Sequence, residues 1–143
     1  MIVHDIRVSD KSIRIGYIKN EKEYPQACTI KSLEYARPEF YEAMGHIFEA
    51  LSTMQGNAAN ECEGEVTHLS MKFTSDNCLS TFTISGIMHG KDGMHFKIAA
   101  EKISTACDRE LTNSISRALK EAELFVNGKR AQMELAYEAG HDE

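Results

Sequence analysis

The chain has 143 residues, a formal net charge of −6, 42% hydrophobic residues and 27% charged ones. That is long enough for one domain with a real core, and the composition is that of a folded chain rather than a disordered one. The acidic balance excludes an overall basic footprint for wrapping nucleic acid, though it says nothing against a local basic patch.

The opening residues Met1-Ile2-Val3-His4-Asp5-Ile6-Arg7 alternate polar and apolar, unlike the continuous apolar stretch of a signal peptide. No apolar run approaches the roughly 20 residues of a membrane span. The expectation is a cytoplasmic chain with no membrane partner. The four cysteines, Cys28, Cys62, Cys78 and Cys107, form no C-x-x-C pair and read as buried thiols.

Two strands open the chain. Ile2, Ile6 and Val8 are expected on one strand face and Ile13, Ile15 and Tyr17 on the next. A tight turn at Asp10-Lys11 pairs Val8 with Ile13 and Ile6 with Ile15, so both apolar sets meet one core. After the polar stretch 20–23, residues Thr29 to Tyr35 read as a third strand. Arg37-Pro38-Glu39 then marks a helix start, since proline suits the first helical position and the dipole favours acids there. Phe40, Met44, Ile47, Phe48, Leu51 and Met54 recur at helical spacing as one core stripe. Residues 57–64 form a polar loop.

Leu69, Met71 and Phe73 mark a fourth strand, Phe82, Ile84 and Met88 a fifth, and Met94, Phe96 and Ile98 a sixth. A three-residue loop Lys91-Asp92-Gly93 would set Met88 opposite Phe96 and Gly86 opposite Ile98. Thr105 to Asp108 resembles a capping box. The helix after it should carry Leu111, Ile115, Leu119, Ala122, Val126, Met133 and Tyr137, with Asn127-Gly128 as a point where it bends or ends.

The order is thus βββα-βββα: an α+β fold with an antiparallel sheet of about six strands and two helices on one face. A single domain spans 1–138, with a frayed tail at 139–143. The halves share an order of elements but no residue repeat, which leaves a duplication open.

No phosphate-binding glycine loop, nucleophile elbow or H-E-x-x-H pair occurs. No catalytic or cofactor-binding residue is singled out, and the chain reads as a non-enzyme without a cofactor. His89 and His95 are the candidate metal pair, because the register above sets them across from one another. Zinc needs three or four ligands, so the leading reading is no metal, and a metal-dependent protein using these two histidines is the alternative. Lys97, Lys102, Arg109, Arg117, Lys120, Lys129 and Arg130 enrich the second half in base. The interspersed Glu110, Glu121 and Glu123 make that a solvated helix face, and nucleic acid is not favoured as a partner.

A continuous last helix from Asp108 to Tyr137 would run roughly 45 Å at 1.5 Å per residue, beyond a domain of about 14–15 Å radius of gyration. Val126, Met133 and Tyr137 would then form an interface, most simply in a homodimer.

Arg37-Pro38-Glu39-Phe40-Tyr41-Glu42-Ala43-Met44 resembles a stretch of small accessory proteins of tailed bacteriophages and prophages, as does Glu121-Ala122-Glu123 through Gly128-Lys129-Arg130-Ala131-Gln132. The resemblance covers about a quarter of the chain. It implies a phage accessory protein and carries over no functional residue; beside it, the leading reading of the chain is a protein that works by binding another macromolecule, most simply a host or phage protein. The order of elements is also similar to the repeated unit of DNA sliding clamps, which as an analogy of topology implies a DNA-transaction role.

Overall fold

The computed structural model describes residues 1–21, 24–54, 64–73, 79–89, 95–100, 109–128 and 130. Three strands come first: β1 (Ile2–Val8), β2 (Ile13–Glu21) and β3 (Tyr24–Ser32). Helix α1 (Pro38–Met54) follows, then β4 (Gly64–Phe73), β5 (Leu79–Met88), β6 (His95–Ala100) and helix α2 (Arg109–Val126). The strands form one antiparallel sheet in the order β3-β2-β1-β4-β5-β6. Both helices join a single hydrophobic core against it, with α1 packed on β4, α2 on β1, and each helix on the other.

One row of aliphatic side chains explains why the sheet has a single buried face. Ile30, Ile15, Ile6, Leu69, Ile84 and Ile98 are successive cross-strand partners from one edge to the other. The four central members are 0% exposed. Each fully buried side chain of this size contributes about 1.5–3 kcal/mol.

The strand order reads the same from either edge. β1 and β4 are the antiparallel central pair, and Ile6 faces Leu69 there. A bulge interrupts β1 between Val3 and Asp5, and another interrupts β4 between Val66 and His68, at matching distances from that pair. Phe40, Ala43, Met44 and Ile47 of α1 are buried, and so are their counterparts Leu111, Ser114, Ile115 and Ala118 of α2. The halves are thus related by an approximate two-fold axis through the sheet. Each half sends its helix across to cover the other's central strand.

Several expectations need correction. Val3, not Ile2, shares the buried face with Ile6, because the bulge at His4 inserts a residue and inverts the alternation. Ile2 lies opposite Ile18 instead. The third strand runs Tyr24–Ser32 rather than Thr29 to Tyr35, and Leu33 and Tyr35 are exposed beyond its end. In the last hairpin Phe96 pairs with Gly86 and Ile98 with Ile84, two residues from the register expected for a three-residue loop. A slip of two keeps every side chain on its face, so the apolar pattern fits both registers. Residues 90–94, 57–63 and 101–108 lie outside the described residues, and with them the expected loop, the polar loop and the capping box.

The last helix does not run on to Tyr137. It ends at Val126, 18 residues or about 27 Å long. The Asn127 amide donates to the Glu123 carbonyl and the Gly128 amide to the Phe125 carbonyl. Gly128 has φ +99°, the left-handed conformation that closes helices and favours glycine. Arg130 turns back, its guanidinium 3.5 Å from the centre of the Phe125 ring and donating to the Phe125 carbonyl. Phe125, absent from the expected stripe, is 1% exposed and lies 6.4 Å from the Phe40 ring.

Candidate functional site

Two surfaces stand apart from ordinary polar surface. The first is the connection between β3 and α1. Leu33 is 77% exposed, Tyr35 65% and Tyr41 37%. The backbone that displays them is held at several points. The Ser32 hydroxyl accepts from the Glu34 amide at 3.1 Å, and the Tyr41 hydroxyl accepts from the buried Ala36 amide at 3.2 Å. The Tyr41 ring meets Phe40 edge-on at 5.4 Å. Arg130 reaches Glu34 at 2.9 Å, and Arg37 reaches Glu39 at 3.2 Å and Glu121 at 3.9 Å. Ion pairs thus tie the connection to α2 and to Arg130, four residues beyond its end. A cleft of about 470 Å³ opens beside the two tyrosines, with Asp10, Glu65, Ile87 and His95 on its other walls.

The second surface is the sheet face opposite the helices. At its centre His68 Nε2 lies 2.6 Å from Asp5 Oδ1, tying β1 to β4, and Arg7 Nε lies 3.4 Å from Asp5 Oδ2. Asp5 and His68 occupy matching places in the two halves, one residue before Ile6 and Leu69 respectively. Both are partly exposed, at 20% and 28% for their side chains. A further hollow of about 310 Å³ lies between the helices, bordered by His46, Glu49, Glu110 and Arg117.

The histidine pair singled out in the sequence is not brought face to face. His95 lies opposite Ile87. His89 is exposed past the end of β5, with Nε2 4.0 Å from Glu65 Oε1. Among the described residues no group of three or more His, Cys, Asp or Glu could hold a metal ion. Val126 is half-buried against its own core, while Met133 and Tyr137 lie outside the described residues. The helical projection that motivated an interface at Val126, Met133 and Tyr137 is therefore gone. No described helix is long and apolar enough to cross a membrane.

Sequence reading missed Leu33 and Tyr35 because it counted them as strand. Their signal was there: Ile30 and Leu33 do not alternate, so Leu33 could not share the buried face. Tyr41 sits one residue after Phe40, off the buried stripe of α1. The chain matches no family model, no curated protein and no solved structure.

Proposed function

We propose that this chain is a non-enzymatic accessory protein of tailed-phage or prophage type that acts by binding another protein, with Leu33, Tyr35 and Tyr41 as the docking surface. The carrying observation is the exposure of these three side chains on a backbone held by hydrogen bonds and ion pairs. Tyrosine supplies large contact area with few torsions to freeze, and an ordered backbone lowers the entropy cost of association. The phage assignment rests on the resemblance of residues 37–44 and 121–132.

The sliding-clamp alternative calls for a basic strip across the helices. The exposed charged side chains of α1 include Glu39, Glu42 and Glu49, which oppose that reading. A second copy of the chain is the other candidate for the same patch, now that the last helix no longer motivates a homodimer.

The test is capture from host lysate with a photoreactive residue at position 33, read by mass spectrometry, beside light scattering of the purified chain. A specific partner should be lost with Leu33→Asp/Tyr35→Ala and kept by Glu49→Gln. Loss of about 2 kcal/mol, roughly 30-fold in affinity, is expected for anchors of this kind. Recovery of the same proteins by both variants would overturn the assignment. A dimer mass abolished by the double variant would make the partner a second copy.

A further inference from the structure

The cross-strand register places basic side chains in one line over the open sheet face. Lys31 pairs with Arg14, Arg14 with Arg7, Arg7 with His68, His68 with Ser85, and Ser85 with Lys97. Each is the immediate neighbour of a member of the aliphatic row, so the pleat turns it away from the helices. Lys31, Arg14, Arg7 and Lys97 are all exposed. The line crosses six strands about 4.8 Å apart, a span of about 24 Å. In a chain of net charge −6 this is a marked segregation of charge.

We infer that this face binds the phosphate backbone of single-stranded nucleic acid, independently of base sequence. The observation is separate from the aromatic patch, and it stands or falls without the protein-binding reading. Charge complementarity selects a polyanion. The cations Lys31, Arg14 and Arg7 stand on adjacent strands and Lys97 lies beyond Ser85 and the Asp5-bonded His68; a single such line selects one strand over two. A duplex offers phosphate lines roughly 6 or 12 Å apart across its grooves. The rows flanking the cations carry Asp5 on one side and Glu65 on the other, which would repel a second line. No Phe, Tyr or Trp stands among the described side chains of this face, so base stacking adds nothing and sequence is not read.

Fluorescence anisotropy of a labelled 20-nucleotide oligo-dT tests the inference with the intact chain. Four phosphate contacts on a single strand give a slope of log affinity against log salt near −2.8, so Kd should rise about 50-fold between 50 and 200 mM salt. Arg14→Gln/Lys31→Gln/Lys97→Gln changes only exposed side chains and should reduce the slope to about a quarter. Arg117→Gln/Lys120→Gln on α2 should leave it unchanged. Absence of binding at 50 mM salt, equal loss in the helix variant, tighter binding of a duplex of the same length, or displacement by poly-glutamate at equal charge would each overturn the inference.

Discussion

Gly64 sits where Phe48 of α1 presses against the sheet, and the smallest possible addition there should be costly. A Cβ on Gly64 would lie 2.6 Å from Phe48 Cε2, 2.7 Å from Phe48 Cζ and 2.7 Å from the Ile87 carbonyl oxygen. Ordinary contact begins near 3.4 Å, so about 0.7 Å must be found on two sides at once. Phe48 is 8% exposed within the core, and the Ile87 oxygen is backbone of β5, held by the pairing of Ile87 with Glu65 and His95. Phe48 cannot move without repacking the core, nor the Ile87 oxygen without disturbing the pairing of β5 with its neighbours. Overpacking of this kind costs about 1–3 kcal/mol, a fall in Tm of roughly 3–10 °C for a domain of this size. Gly45→Ala is the matched control. Gly45 is exposed inside α1 with nothing within 4 Å of an added Cβ, so helix propensity alone should stabilise it by about 1 kcal/mol. Urea unfolding followed by far-UV circular dichroism compares the two. Combining Gly64→Ala with Phe48→Leu should shrink the cost of the glycine change, as expected for residues in contact. Gly64→Ala as stable as the parent chain, with Gly45→Ala behaving as expected, would refute the close approach.

Leu69→Ala removes the centre of the aliphatic row, where the side chain is 0% exposed between Ile6 and Ile84, and should cost about 2–5 kcal/mol by the same unfolding assay. Gly128→Ala places a side chain at φ +99° and should lose about 1–2 kcal/mol, although the site has open space. Glu39 accepts from its own backbone amide and then from Arg37, and both hold its carboxyl below the usual glutamate range. Its contribution should be full above the ordinary glutamate pKa and lost as pH falls through the lowered value. Carbon-detected NMR titration should show the low midpoint, and Arg37→Ala should raise it.

The sequence by itself determined the number and order of the elements and most of their buried faces, though not the bounds of β3 or the place of Ile2. Ile6, Ile15 and Ile84 fall at alternating positions, and Phe40, Met44, Ile47 and Leu51 at helical spacing, because burial of apolar area is a local pattern imposed by strand pleat and helix pitch. Pro38 fixed the start of α1 for a reason local to one residue. The first hairpin was legible because its short turn leaves one register that puts both apolar sets inward. The last hairpin was not, because a slip of two residues buries the same faces, and Ile98 pairs with Ile84 rather than Gly86. The bulge at His4 was equally silent: its cue, Gly16, opens room for the His4 ring only once the strands are paired, with His4 Cε1 3.0 Å from where a Cβ would lie. Both candidate surfaces belong to the same class. Leu33, Tyr35 and Tyr41 become a patch through ties to Ala36, Glu121 and Arg130. Lys31, Arg14, Arg7 and Lys97, scattered over 91 residues of sequence, become a line only through six strands in register. Tertiary structure alone decides such adjacency, because it depends on which strands pair and how far they slide, and the chemistry of no single residue encodes that.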